Sequence, residues 1–494
     1  MKSSRASRAR FGSITRRDAL VGVASLGASA LGCSAETEAG GSVSLGLGAA
    51  KVGIIGGGAG GLAAAYFLDG VCDVELLESR SKVGGHCDSQ LVDYAGQPIT
   101  VDLGAQFFHP ATHPIYVTLL EELGLYNPDA PNGDETLEAP GSVCIFPMTG
   151  GYPFGNGWPR FCSTQPLLTP FRAVDFAIYS QVARQAVLGN LSFEVRLDDW
   201  INGLPVSRDF KDNLLFPWLS ALIGATRQNA VRSSARAILQ TFALAFPANI
   251  FEGASTYNSR VGLGGNLDRL LARAASARVQ LNAGVTSVGY DGAKWTVQTP
   301  TGTYGPYDAL IVNAPPHVSK GFLAGLPWAS DLLGLLERYE YFDTRIAIHT
   351  DAAYIHRDKS FRCVYNAGID GVECEGSVWL GGIHGKLANG GSIDIYKSWV
   401  QHRRAEPKNI LLQRSFKHPL ITPDVIRAAR SLAGLQGRNG LYFSGQQTTG
   451  FDLQEAAVYS AIKVADALAP SSPKLASLRQ RLQARGRTGI SYDL

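Results

Sequence analysis

Two periods of apolar positions run along the chain. Lys51 to Ile55 is a short β-rich run, followed by a glycine cluster and a helical stretch, Leu62 to Leu68. A second strand spans Val74 to Leu77 and ends at Glu78. Ile115, Leu119, Leu120 and Leu123 recur at helical spacing, with Pro114 at the first helical position and Gly124 at the stop. An amphipathic helix is expected over Leu267 to Ala275, then one strand from Val279 through Val285 to Val288. Ala309 to Val312 has the unbroken apolar pattern of a buried strand, stopped by Pro315. Arg345 to Asp351 alternates like a strand, and Gly440 to Gly445 leads into a helix over Phe451 to Leu468. Strands alternating with helices predict an α/β fold, and residues 113–247 read as mainly helical.

Composition narrows the class. The 494 residues are 45% hydrophobic and 18% charged, enough for two to three domains and too apolar for a disordered chain. The formal charge is +3, yet six basic residues lie in the first seventeen positions. Without those six the remainder carries −3, which argues against nucleic acid as a partner. Seven cysteines are too few for a disulfide scaffold and show no metal-binding CxxC spacing.

The first fifty residues read as an address. Lys2, Arg5, Arg8, Arg10, Arg16 and Arg17 precede a weakly apolar run, Ala19 to Gly32, which is the plan of a signal peptide. The Arg16-Arg17 pair, with Leu20 three places on, is similar to a twin-arginine export signal and makes the export machinery an expected partner. A solvated basic tail is the plainer alternative. Ala30-Leu31-Gly32-Cys33 resembles a lipoprotein cleavage box, with Cys33 as the lipidated residue and a possible membrane tether. Ser34 to Ala50, rich in Gly, Ser and Ala, reads as a flexible tether. The expected location is beyond the bacterial inner membrane, in the periplasm or as a membrane-anchored lipoprotein.

The glycine cluster carries the first chemistry. Gly56, Gly58 and Gly61 fit GxGxxG between strand and helix, with Ala59 and Gly60 in the same turn. The first glycine permits the tight turn, the second lets backbone approach a pyrophosphate, and the third lets helix pack on strand. The helix N-terminus faces the phosphates. Glu78, 20 residues after Gly58, is placed to bind ribose hydroxyls.

Further blocks make the likeness specific. Val83-Gly84-Gly85-His86 follows Glu78, and Asp102-Leu103-Gly104-Ala105-Gln106 comes later. Val261 to Asn266 opens a helix, and Gly440 to Gly445 precedes the last one. Together these resemble the flavin-dependent amine oxidase superfamily, which includes protoporphyrinogen oxidases and phytoene-desaturase-like enzymes. The resemblance implies FAD, wrapped by Gly85, His86, Gly104, Ala105 and Gln106, with Val285 near adenine. It also implies a phosphate-side glycine at Gly445 and a helix start at Ala456, Ala457 and Val458 pointing at the flavin ring. His86 stands where many members have Arg, Gln446 where an acid is usual, and Ala456 and Ala461 where glycine is common. A GGH variant of this kind resembles a less characterised branch of FAD-binding oxidoreductases.

The implied fold is a Rossmann-type FAD-binding domain with an interleaved α+β substrate domain. Residues 1–50 form the export signal and tether, and 51–112, 248–318 and 436–470 the three parts of the FAD domain. Residues 113–247 and 319–435 form the substrate domain, and 471–494 a C-terminal tail. Phe171, Phe176, Tyr179, Phe193, Trp200, Phe210, Phe216 and Trp218 are core or, alternatively, line an apolar tunnel. Arg345 aligns with a lysine that in many amine oxidases holds a water near flavin N5, which makes it the candidate catalytic residue, although arginine stays protonated. His349 and Asp351 read as a structural pair or as a catalytic one, and Cys363 and Cys374 as a disulfide or as free thiols. Tyrosine is absent just before the last helix, where Phe451 and Leu453 stand. The leading function is hydride transfer from a partly apolar small-molecule substrate to flavin N5. A flavin-dependent isomerase or desaturase of an unsaturated substrate such as a fatty acid, and a non-catalytic FAD-binding protein, are the alternatives.

Replacing both Arg16 and Arg17 with Lys is expected to trap the precursor in the cytoplasm, as read by cell fractionation. Undiminished export of that variant overturns the twin-arginine reading.

Overall fold

The computed structural model describes residues 50–150, 156–249, 252–403, 406–488 and 492–494. The export signal, Cys33 and nearly all of the tether lie outside the described residues. A five-stranded parallel sheet has the order Leu441–Phe443, Ala309–Val312, Lys51–Ile55, Asp73–Leu77, Arg278–Gln280. Its inner strands are mostly apolar because both faces are covered, and the buried exception, Glu75, accepts from the Tyr307 hydroxyl at 2.8 Å. On one face lie the helices Ala59–Leu68, Pro114–Leu123, Gly262–Ala272 and Gln454–Leu468, joined through one core. On the other lie a three-stranded antiparallel sheet and the helices Pro316–Leu323, Ser330–Glu337 and Pro423–Ala433.

A seven-stranded mixed sheet forms the second body, ordered Ile410–Leu420, Glu340–His349, Tyr396–Trp399, Glu373–Trp379, Tyr365–Asp370, Val143–Pro147, Phe161–Cys162. One face packs Ile346, Ile348 and Val378 against the hairpin Ser89–Tyr94/Gln97–Asp102. The same face carries Val143, Ile145 and Ala367 under the helical segment around Tyr179, Phe210 and Trp218. Cys144 and Phe146 alternate with these and point to the opposite face. Among the described residues no helix is long and apolar enough to cross a membrane.

Several expectations change. The helix Pro114–Leu123, expected with the substrate domain, packs on the cofactor-side helices. The expected tail contains a helix, Pro473–Ala484, whose Leu475 and Leu478 enter that same core together with Tyr492. The single strand expected from Val279 to Val288 is two strands in two sheets, Arg278–Gln280 and Ser287–Tyr290. Of the eight aromatics weighed as core or tunnel, Tyr179, Phe193, Phe210, Phe216 and Trp218 are buried, Phe176 and Trp200 pack against the core, and Phe171 is 87% exposed. Cys374 joins the helical core while Cys363 lies in another cluster, so those two do not pair.

One buried acid ties the cofactor-side helices together. The helix Pro114–Leu123 has no side-chain cap of its own. Its Ile115 and Tyr116 N–H groups donate to the Glu455 carboxylate at 3.0 and 2.6 Å, and the Tyr492 hydroxyl donates at 3.1 Å. A carboxylate there satisfies backbone donors that a helix start leaves open. Burial nevertheless dominates and pushes Glu455 up to about 7, although these donors pull the other way. An acid whose folded pKa is raised favours the folded state below its unfolded pKa, and that advantage is lost as pH rises through the folded value. Chemical denaturation should therefore show the wild type losing stability relative to Glu455→Gln between pH 4.5 and 7, by on the order of 3 kcal/mol. A pH-independent difference between the two proteins removes Glu455 as the titrating group.

Candidate functional site

The glycine turn is built where no side chain fits. Gly56 has φ +104, and a Cβ on Gly61 would lie 2.1 Å from the Gly56 carbonyl oxygen. A Cβ on Gly60 would come within 2.6 Å of Asn313 Oδ1 and 2.8 Å of Ser444 Oγ. Asn313 Nδ2 in turn donates to the Gly56 carbonyl at 3.1 Å. The helix Ala59–Leu68 starts at Gly58 with no side-chain cap, so its first N–H groups are available to a phosphate. Glu78, buried at the end of its strand, accepts from Gly57 N–H at 2.7 Å and Arg80 N–H at 2.9 Å. Ala283 N–H donates to the Glu78 carbonyl at 2.8 Å, which brings Val285 alongside the same strand end.

The other blocks converge on this turn. Gly84 N–H donates to the Gly57 carbonyl at 2.8 Å, and Ala105 N–H to the His86 carbonyl at 2.9 Å. Gly104 is in contact there too, since a Cβ on it would meet the His86 carbonyl oxygen. Gly445 N–H donates to Ser460 Oγ at 2.6 Å, fixing this loop to the helix that follows it. That helix, Gln454–Leu468, starts at Leu453 without a side-chain cap, and its Gln454 Nε2 donates to the Phe107 carbonyl at 2.9 Å. Ala456, Ala457 and Val458 are buried in its first turns. Gln106 Oε1 is buried with no protein partner. Bare helix starts, side-chain-free approaches at Gly60 and Gly61, a buried acid at the strand end and an open polar atom fit FAD. Gly56, Gly58, Ala59, Gly60, Gly61, Glu78, Gly85, His86, Gly104, Ala105, Gln106, Gly445 and the helix start thus gather around one cradle.

Arg345 does not join them. It lies on the far face of its strand, alternating with Ile346 and Ile348, and its guanidinium donates to the Val400 carbonyl and pairs with Glu406. His349 is fully buried, with Nε2 2.9 Å from Ser398 Oγ and Nδ1 accepting from Asp351 N–H at 3.1 Å. Burial drives it down to about 4, so it is neutral at pH 7. Asp351 caps a short turn through Ala353 N–H, so the pair holds a loop.

A buried cation on the cradle side is Lys397, opposite Ile348 on the adjacent strand. Its Nζ donates to the Gly104 carbonyl at 2.5 Å, and burial lowers it to about 8, with Asp102 and Cys87 pulling upward. Asp102 is raised to about 6 by burial, although Ser89 Oγ, Lys397 and Leu263 N–H oppose that. The signal in the sequence is a lysine set among Ile395, Tyr396, Trp399 and Val400. The seam between the two bodies also holds His86 edge-on to Phe416 at 5.2 Å, and His418 Nε2 3.0 Å from Asp452. His317 and Tyr341 meet nearby, their rings 4.4 Å apart. Burial lowers His86, with Asp452 opposing.

Gly60→Ala is expected to leave a protein that purifies with at least tenfold less bound flavin, read by absorbance against total protein. Arg345→Ala should keep the wild-type flavin content, and a colourless Arg345→Ala protein would contradict the position of Arg345 away from the cradle.

The family model for flavin containing amine oxidoreductase matches residues 59–341, more than half of the chain. Solved structures share the fold. A CLA-producing fatty acid isomerase from P. acnes aligns with TM-score 0.61 and 15% identity over 84% of this chain and 98% of its own. Cyclohexylamine oxidase from Brevibacterium oxydans aligns with TM-score 0.57 and 14% identity over 86% and 99%. Putrescine oxidase bound to putrescine aligns with TM-score 0.56 and 16% identity over 85% and 99%. No curated protein matches the chain. Motif, fold and cradle agree: the chain belongs to the flavin-containing amine oxidoreductase family, and FAD is its cofactor.

Proposed function

We propose that the protein oxidises a partly apolar small molecule by hydride transfer from a substrate C–H bond, with oxygen or another acceptor completing the cycle. The observation that carries this is the convergence of the glycine blocks and two uncapped helix starts on one cradle at the seam of the two bodies. When bound, FAD supplies the hydride acceptor at N5. The chain's residues bind and orient. Glu78, at the strand end, would hold ribose hydroxyls, and the turn around Gly58 and Gly445 would hold the pyrophosphate. The start of Gln454–Leu468 offers its positive dipole end to negative charge on the ring. Lys397 fixes the Gly104 carbonyl and so the loop that carries Ala105 and Gln106.

The substrate side is aromatic and imidazole-rich, through His86, Phe416, His418 and Tyr341. Leu453 stands near the place where tyrosine is usual, and Phe451, two residues earlier, is fully buried against Phe193 and Tyr492. That favours an apolar substrate over a simple amine. The chain acts after export, free in the periplasm or tethered through a lipidated Cys33.

Anaerobic mixing of the holo-protein with amines, amino acids and unsaturated fatty acids is expected to bleach the flavin with at least one apolar member, and admitting oxygen should restore it. Product formed with neither bleaching nor oxygen uptake would replace oxidation with isomerisation. A flavin that no compound bleaches or converts would mark a non-catalytic binding protein.

A further inference from the structure

Three thiols meet on the face of the seven-stranded sheet turned away from the Val143 and Ile145 core. Cys144 and Cys162 are register partners on adjacent antiparallel strands, so their side chains share a face. Cys363 approaches from the chain just after Phe361, with its Sγ 3.8 Å from Cys162 Sγ. All three are buried, enclosed by Phe146, Phe361 and Met148. The Thr164 hydroxyl stands 3.1 Å from Cys162 Sγ and 3.8 Å from Cys363 Sγ.

This gives Cys162 three hydrogen-bonding partners, the Cys144 and Cys363 thiols and the Thr164 hydroxyl. Hydrogen bonds to a thiolate favour it, and they hold Cys162 well below the ordinary thiol range. The contact with Cys162, and then burial, pushes Cys144 and Cys363 up. Among the described residues no group of three or more His, Cys, Asp or Glu is arranged to hold a metal. Cys374 belongs to the helical core and not to this cluster.

We propose that Cys162 and Cys363 form a peroxide-reactive thiol pair that closes to a disulfide. The Cys162 thiolate attacks one oxygen of a hydroperoxide and the O–O bond breaks, leaving a sulfenic acid on Cys162 and releasing hydroxide, or alkoxide from an organic peroxide. The Cys363 sulfur then attacks the Cys162 sulfur. The S–O bond breaks, the S–S bond forms, and the Cys363 proton leaves with the departing hydroxide as water. Two thiols lose two electrons in all, and the peroxide takes them. Closing the pair needs the sulfurs to approach from 3.8 Å to about 2.05 Å, a movement of side-chain scale. Cys144 stays reduced as the donor left behind.

The test uses the holo-protein treated with hydrogen peroxide, then denatured, alkylated and mapped by mass spectrometry, with no flavin turnover needed. The expected result is the loss of two alkylatable thiols per chain, a peptide pair joined through Cys162 and Cys363, and recovery of both thiols with dithiothreitol. In Cys363→Ser, dimedone should trap a sulfenic acid on Cys162, whereas Cys374→Ser should behave as wild type. Cys162 joined to Cys144, or a Cys162 that stays fully alkylatable in the wild type, overturns the proposal. The wild-type map decides alone if the Cys363 variant folds poorly.

Discussion

Everything about the cradle depends on backbone approaching backbone where a methyl group would not fit. At Gly61 a Cβ would sit 2.1 Å from the Gly56 carbonyl oxygen, inside any van der Waals contact. At Gly60 the obstacle is Asn313, whose amide spans the turn and also holds the Gly56 carbonyl. This one side chain touches the first strand's turn and stands next to the loop of the last strand, since a Cβ on Gly445 would lie 3.1 Å from its Oδ1. Segments more than two hundred residues apart thus meet at an amide and a row of glycines. The helices they start, Ala59–Leu68 and Gln454–Leu468, pack in one core and aim both their open ends at one place.

Ionisable groups near that place are buried far beyond what their chemistry prefers. Asp102 and Lys397 sit fully enclosed beside Gly104, each displaced toward its neutral form by burial and each drawn back by the other. Glu455 is displaced in the same sense while it caps a helix from a distance. Such groups are costly to bury and are kept where they fix geometry. In this chain Lys397 holds the Gly104 carbonyl, and Glu455 ties the start of Pro114–Leu123 to the helix Gln454–Leu468.

The cofactor half was legible because its requirements are local. Gly56, Gly58, Gly61 and Glu78 announce a strand, turn, helix and strand through spacing alone, and the structure brings them together. The GGH block, Gly104 to Gln106 and Gly445 were recognisable as blocks, though only folding shows that Ala105 reaches the His86 carbonyl. The misses share a cause in long-range packing. Arg345 and Lys397 lie on neighbouring strands, and which one faces the cradle is set by strand register, which a single strand's alternation does not reveal. The tail reads as polar, yet Leu475, Leu478 and Tyr492 close the cofactor-side core. Cys363 pairs in space with a cysteine two hundred positions away, and its nearer neighbour Cys374 points elsewhere.

The interleaving has a consequence for how the molecule is made. The parallel sheet takes its edge strand from Leu441–Phe443, and its covering layer is finished by helices ending at Ala484. On a ribosome, whose exit tunnel hides the most recently joined residues, no earlier portion of the nascent polypeptide owns a complete sheet or a finished nucleotide pocket. Loading therefore waits until the stretch through Ala484 has left the tunnel, however much of the second body has already formed.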